Sequence, residues 1–241
     1  MNRFLPAAIT IVLTAQICAA ADPAEKKSPA PKGAPAAGPA KPAKAPATAP
    51  AKSGFKPLFK KDLSNATFRK GAWELKDGVL SVKGKGDIWT RHRYGNFVLD
   101  LEFKVAPKTN SGVFIRCGDI KKWLHTGIEV QILDSHGRKP GKHCCGAIFD
   151  CLAPGKQMVK KAGEWNRMVV TAKASKIQVV LNGQRIVDMD LDKWTEAHKN
   201  PDGSRNKFNT AYKNMPRVGH IGFQYHGHPV WYRNIKIKTL K

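Results

Sequence analysis

From residue 53 onward, apolar and polar residues alternate with a period of two, and no segment sustains a helical period. Phe97, Leu99, Leu101, Phe103 and Val105 share one face of a strand, with Asp100, Glu102 and Lys104 on the other, where the two acids read as solvated rather than catalytic. Trp73-Glu74-Leu75 and Val79 to Val82 flank Lys76-Asp77-Gly78, whose Asp-Gly pair supplies the positive φ of a tight hairpin. Asn110-Ser111-Gly112 reads as a turn into Val113-Phe114-Ile115-Arg116, with Val113 and Ile115 on one face and Phe114 and Arg116 on the other. From Gly127 to Asp134, Ile128, Val130 and Ile132 oppose Glu129 and Gln131. Strands resume over Asn166 to Ala172 and Lys176 to Leu181, and Asn182-Gly183 turns the chain into Arg185 to Met189. From Gly219 to His226, Ile221, Phe223 and Tyr225 oppose His220, Gln224 and His226; Gly227-His228-Pro229 then turns into a closing strand, Val230 to Lys238.

Between these strands lie two irregular stretches. The first, from Asp134 to Gly163, is rich in Gly, Pro and Cys and has the length of a function-bearing loop. The second, Trp194 to Pro216, is polar with a turn at Asn200-Pro201-Asp202-Gly203, so any helix is expected to be short. Alternating strands joined by turns, without a strand-helix-strand rhythm, predict an all-β domain of two antiparallel sheets packed as a sandwich.

The N-terminal part breaks this pattern. Residues 1–21 read as a secretory signal: Arg3 makes a short positive region, Ala7 to Ile17 an apolar one, and Ala19-Ala20-Ala21 a small-residue cleavage site. The apolar run is too short for a membrane span, as is every later one. Cys18 admits a lipoprotein reading, but Ala15-Gln16-Ile17 is a poor approach to a lipidated cysteine. Residues 22–52 are almost wholly Ala, Pro and Lys, a composition that cannot offset its ordering entropy and is expected to form a disordered, semi-extended tether. The expectation is an exported protein, periplasmic or extracellular, whose folded domain occupies residues 53–241.

Charge adds a bias. The chain carries 42 Lys+Arg against 18 Asp+Glu, and setting aside Arg3 with the six lysines and two acids of the tether leaves 35 against 16. Such a field favours anionic partners, an acidic polysaccharide or an anionic envelope surface. The cations are scattered through strands and loops without a basic helix or a nucleic-acid module, so nucleic acid is not an expected partner. Export permits disulfides among Cys117, Cys144, Cys145 and Cys151, although the neighbours Cys144 and Cys145 are poorly placed to pair with each other. A bridge, buried thiols or a metal site at His143-Cys144-Cys145 with Cys151 all stay open, the last with spacing unlike the usual paired-cysteine sites.

The polar residues that alternate out of apolar strands are Arg116, Glu129, Gln131, Gln224 and His226. On neighbouring strands of a curved sheet they would converge on its concave face and bind a sugar through directed hydrogen bonds, with Trp89, Trp123 or Tyr225 offering flat surfaces to the ring. Glu129 and His226 would then exchange protons or share a metal ion. The competing reading is a solvent-facing sheet on which half-buried polar residues pair with one another.

A series of motifs carries a family resemblance. Phe55-Lys56-Pro57-Leu58-Phe59 with Asp62-Leu63, Trp73 to Leu80, Tyr94-Gly95-Asn96-Phe97, Asn110 to Arg116, Gly127 to Asp134, Gly163-Glu164-Trp165-Asn166, Leu181-Asn182-Gly183, Ile221 to Gly227 and Tyr232-Arg233-Asn234-Ile235 stand in order through Phe55 to Leu240. Together they resemble the 3-keto-disaccharide hydrolase domain family. The resemblance implies a concanavalin-like jelly roll similar to β-glucanases, acting on di- or oligosaccharides or other glycosides oxidised at C3. It implies removal of the C2 proton, elimination at C1 and net hydrolysis, with Glu129, His226 and Arg116 catalytic, Gln131, Gln224, Trp89 and Trp123 binding substrate, and a divalent metal on Glu129 and His226 as an option. The family commonly has an acid where this chain has Tyr225. The alternative is a non-catalytic, lectin-like module that binds glycan at the cell envelope through the same face.

Overall fold

The computed structural model describes residues 54–241; the expected leader, the tether and the start of the domain at Ser53 lie outside the described residues. Thirteen strands follow in order: β1 (Lys56–Pro57), β2 (Ala66–Thr67), β3 (Trp73–Lys76), β4 (Val79–Val82), β5 (Ile88–Thr90), β6 (Phe97–Val105), β7 (Asn110–Cys117), β8 (Ile128–Leu133), β9 (Asn166–Lys173), β10 (Lys176–Leu181), β11 (Gln184–Asp190), β12 (His220–Phe223) and β13 (Val230–Thr239). A one-turn helix, α1 (Trp123–Thr126), and two short 3₁₀ turns are the helical elements among the described residues. None is long and apolar enough to cross a membrane.

The strands form two antiparallel sheets, the expected jelly-roll sandwich. The larger runs β11-β10-β9-β6-β13-β4-β3 with β1 on β13, and the smaller runs β2-β5-β12-β7-β8. Strand β6 sits at the middle of the larger sheet and its apolar face is fully buried from Phe97 to Val105. Each such side chain contributes roughly 1.5–3 kcal/mol relative to exposure. On its outer face Asp100 accepts a bidentate pair from Arg167, and Glu102 accepts from Arg233 and Asn234, so both acids are surface partners as the alternation implies. The β3-β4 hairpin turns through Asp77 and Gly78, at φ 50° and 76°.

Two sequence expectations need correction. Asn110 to Gly112 is not a turn but the start of β7, paired in register with β8; the reversal comes earlier, where Lys108 has φ 63° and Thr109 N–H donates to Ala106 O. Strand β12 ends at Phe223, so His226 lies beyond it in an exposed turn. The four cysteines are all buried free thiols. Burial pushes Cys145 and Cys151 up to about 12, which makes them inert packing groups rather than nucleophiles.

Candidate active site

The outer face of the five-stranded sheet is built in two rows. Trp89 on β5 pairs with Gly222 on β12, Gly222 with Phe114 on β7, and Phe114 with Glu129 on β8. Two residues along, Gln224 donates its N–H to Gly112 O, and Gly112 pairs with Gln131. Alternation sends Val113, Val130 and Phe223 into the core and keeps these groups on the opposite face.

The sheet's free edge at β8 is occupied by part of the cysteine loop. Gln131 N–H donates to Ala147 O, Gly146 N–H to Gln131 O, and Phe149 N–H to Glu129 O, while Val130 bridges Ile148. Phe149 and Ala147 therefore stand beside Glu129 and Gln131. His143 packs against the Phe149 ring at 4.9 Å and donates to Asp150 Oδ1 at 2.9 Å, and the Lys207 ammonium lies 4.5 Å from the centre of the same ring.

The two glycines give this face its shape. A Cβ on Gly112 would clash with Glu129 Oε1 and stand 2.9 Å from both Cγ and Cδ, so the carboxyl arm of Glu129 lies across the space that a side chain would fill. A Cβ on Gly222 would clash with Trp89 Cε3 and stand 2.6–2.7 Å from Cζ3 and Cδ2, so the indole lies flat on the sheet and stacks on Phe114 at 5.3 Å. Trp123 from α1 continues the aromatic group, 4.9 Å from Phe114.

Glu129 is only 6% exposed, and burial raises its pKa to about 8. Lys207 pulls it down and Asp87 pushes it up, which places both charges close to the carboxyl. Gln131, with its amide oriented by its surroundings, donates to Ser111 O at 2.9 Å and to Glu129 Oε1 at 3.1 Å. Gln224 is held from beneath, since Ser111 Oγ donates to its carbonyl and meets the Tyr232 hydroxyl at 2.9 Å in the core. Asp87 accepts from Tyr225 N–H at 2.8 Å; burial raises its own pKa, and that bond and the charge of His226 lower it. Tyr225 packs partly against the core, in keeping with its place in the alternation.

Of the residues expected from sequence, Glu129, Gln131, Gln224, Trp89 and Trp123 share this face. His226 sits at its rim beside Asp87, exposed. Arg116 departs from the expectation: it has φ 52° in a bulge where the β7–β12 register shifts, which reverses the side its alternation implies. Its guanidinium is fully buried and donates to Gly95 O, Ala174 O and Asn96 Oδ1, pinning the β9-β10 turn and the segment before β6. Burial lowers its pKa to about 10, so it stays charged at neutral pH as a structural tie. Asp87, Lys207 and Phe149 complete the site and are not singled out by alternation; the one sequence signal is that Asp87 stands two residues before Trp89, on the same strand face.

Among the described residues no group of three or more His, Cys, Asp or Glu side chains is arranged to hold a metal ion. His143 with the cysteines is therefore not such a group, and Glu129 with His226 would supply two ligands at most. What the face does provide is a buried carboxyl of raised pKa, amide donors beside it, one cation, and the half-buried indole of Trp123; Trp89, expected as a sugar surface, is instead buried with Phe114 and Cys117 in an apolar cluster behind it.

Comparison with known proteins places this arrangement. A 3-keto-disaccharide hydrolase of Bacteroides thetaiotaomicron is 25% identical over 203 residues, covering 70% of each chain. A crystal structure of a candidate glycosyl hydrolase from Parabacteroides distasonis is 42% identical, with a TM-score of 0.74, over 77% of this chain and 99% of that one. A second from the same organism is 26% identical, with a TM-score of 0.62, over 78% of this chain and 94% of that one. The model of the 3-keto-alpha-glucoside-1,2-lyase-like domain matches residues 54–238. The chain thus belongs to the 3-keto-alpha-glucoside-1,2-lyase-like domain family.

Proposed function

We propose that the protein is an exported carbohydrate-active enzyme that cleaves glycosides already oxidised at C3, with Glu129 as the proton-transfer group. The observation that carries this reading is the buried Glu129 carboxyl, raised to about 8 and laid across Gly112 between two glutamines. A base of that pKa is matched to a weak carbon acid near neutral pH. The C3 ketone supplies such an acid, because it acidifies the C2 proton.

Glu129 takes that proton, and the C2–H electron pair passes into the C2–C3 bond as the ketone becomes an enolate. The enolate reforms the ketone, a C1–C2 double bond forms, and the C1–O bond breaks. The departing oxygen takes the proton from Glu129. Water then adds its oxygen to C1 while C2 regains a proton, so the net change is hydrolysis. The side-chain amide of Gln224 and the Lys207 charge are the groups available to offset the enolate oxygen's charge, while Gln131, whose two N–H donors go to Ser111 O and Glu129 Oε1, orients the carboxyl. Arg116, committed to carbonyls elsewhere, has no part in this step. No second carboxylate is needed to protonate a leaving group in the manner of an ordinary glycosidase.

Incubation with 3-keto-glucosides and with their parent glycosides, with and without chelator and added divalent ions, tests the reading. Release from the keto substrates alone is expected. Retained binding of the parent sugar with cleavage of neither would make the protein a glycan-binding module instead.

A further inference from the structure

One cleft beside the Glu129 face is not used by the chemistry above. It has a volume of about 480 Å³ and is lined by Lys121, Lys122, Trp123, Leu124, His125, Thr126, Asn209 and Thr210. Its wall is shared with the site, because the Trp123 ring meets Phe114, which is the register partner of Glu129. The volume admits a sugar ring with room to spare, and the indole offers that ring a flat surface.

The polar groups of this cleft are nearly all donors. No carboxylate lines it, while two lysines do. The nearest acid in its segment, Asp119, is engaged with Lys121 N–H at 2.8 Å. His125 Nδ1 accepts from Asn209 N–H at 3.4 Å, which leaves its Nε2 as the donor. Thr210 Oγ1 donates to Asn209 Oδ1, which leaves the Asn209 amide nitrogen to donate as well. Two ammonium groups and two neutral N–H donors around one aromatic plane form a receptor for a ring that carries an oxyanion.

We infer that this cleft holds the leaving-group half of the substrate and selects an acidic one, a sugar bearing a carboxylate or a sulfate ester. The inference rests on the proposed function for which half of the substrate is which, but the charge preference is a property of the cleft itself. A disaccharide would then lie with its oxidised ring over Glu129, Gln131 and Gln224 and its acidic ring over Trp123.

The test is direct binding, which does not require turnover. Calorimetric titration of the full protein with a neutral disaccharide, with one ending in a uronate and with one carrying a sulfate ester is compared with the same titrations of a Lys121→Met, Lys122→Met variant. Both lysines are exposed, and Met retains the alkyl stem, so folding is unaffected. The wild type is expected to bind at least one acidic sugar about tenfold more tightly than the neutral one, with the advantage shrinking as salt rises and disappearing in the variant. The two acidic arms say which oxyanion is read. Equal affinity for all three sugars, or an acidic preference that survives the double substitution, would overturn the inference. Preferential binding without turnover of any keto substrate would overturn the proposed function and leave this inference standing; turnover without charge preference would do the reverse.

Discussion

Gly112→Ala isolates the geometry of Glu129 from everything else in the fold. Gly112 lies within β7 and has no positive φ, so an alanine suits its backbone, and the three atoms nearest the added methyl all belong to the Glu129 side chain. The Cγ and Cδ atoms, 2.9 Å from the new methyl, would have to retreat by about 0.6 Å to reach an ordinary carbon contact of about 3.5 Å. The carboxyl oxygen, closer still, must swing further. Since a displacement of about 1 Å costs a reacting group roughly a hundredfold, kcat/KM for a 3-keto-glucoside should fall between about tenfold and a hundredfold, or about 1.4–2.7 kcal/mol of barrier. Stability should change little, because a flexible side-chain end yields and replacing glycine offsets part of the loss. A melting temperature within about 4 °C of wild type is expected. Gly155→Ala, whose Cβ would make only an ordinary contact of 3.7 Å, is the control and should match wild type in both measurements. Full activity in the Gly112 variant alongside an inactive Glu129→Gln variant would refute the claim that the carboxyl works from its position over Gly112.

Glu129→Gln itself should abolish turnover while leaving the circular dichroism spectrum unchanged, and undiminished activity would remove Glu129 from the mechanism. The pH profile of kcat/KM should rise about tenfold per unit toward a plateau above about 8; Asp87→Asn should move that midpoint down and Lys207→Met should move it up, because the two charges act on Glu129 with opposite sign. Stability carries the same signature with its own direction. The folded pKa of about 8 exceeds the ordinary 4.5, so the unfolded chain binds fewer protons between these values and stability falls as pH rises through that window. Glu129→Gln should remove this decline, as read by denaturant titrations at pH 5 and 9, and an unchanged decline would count against the burial of Glu129. Arg116→Ala should cost about 2–4 kcal/mol of stability through its orphaned carbonyl partners, yet leave the kcat of the folded protein at low temperature near wild type; selective loss of kcat would return Arg116 to the site.

The sandwich was legible because the long strands β6, β9 and β10 of the larger sheet bury one face only, whereas β7 and β8 of the smaller sheet are buried on both. Strand β6 alternates over nine residues without a break, and the Asp-Gly and Asn-Gly turns fall where their backbone demands put them. The site was legible as far as alternation holds. Glu129, Gln131 and Gln224 follow it and meet. Arg116 does not, because one left-handed residue reverses the side of the sheet to which a side chain points, and nothing in Ile115-Arg116-Cys117 marks that residue in advance. Asp87 and Lys207 reach Glu129 from the approach to a three-residue strand and from a polar, irregular stretch, where only the tertiary fold decides what lies near what.

The pairing of Gly146 to Phe149 with β8 also bears on how the protein behaves among its own copies. Without that segment β8 would be a bare sheet margin with unmatched backbone groups, an invitation to another chain's strand. The loop occupies those groups, and the opposite margin, β2, is only two residues long. The strand that carries the Glu129 carboxyl is thereby shielded from the edge-to-edge association that leads to aggregates. Shortening the loop should cost solubility as well as activity, so this part of the chain has less freedom to drift than its irregular conformation suggests.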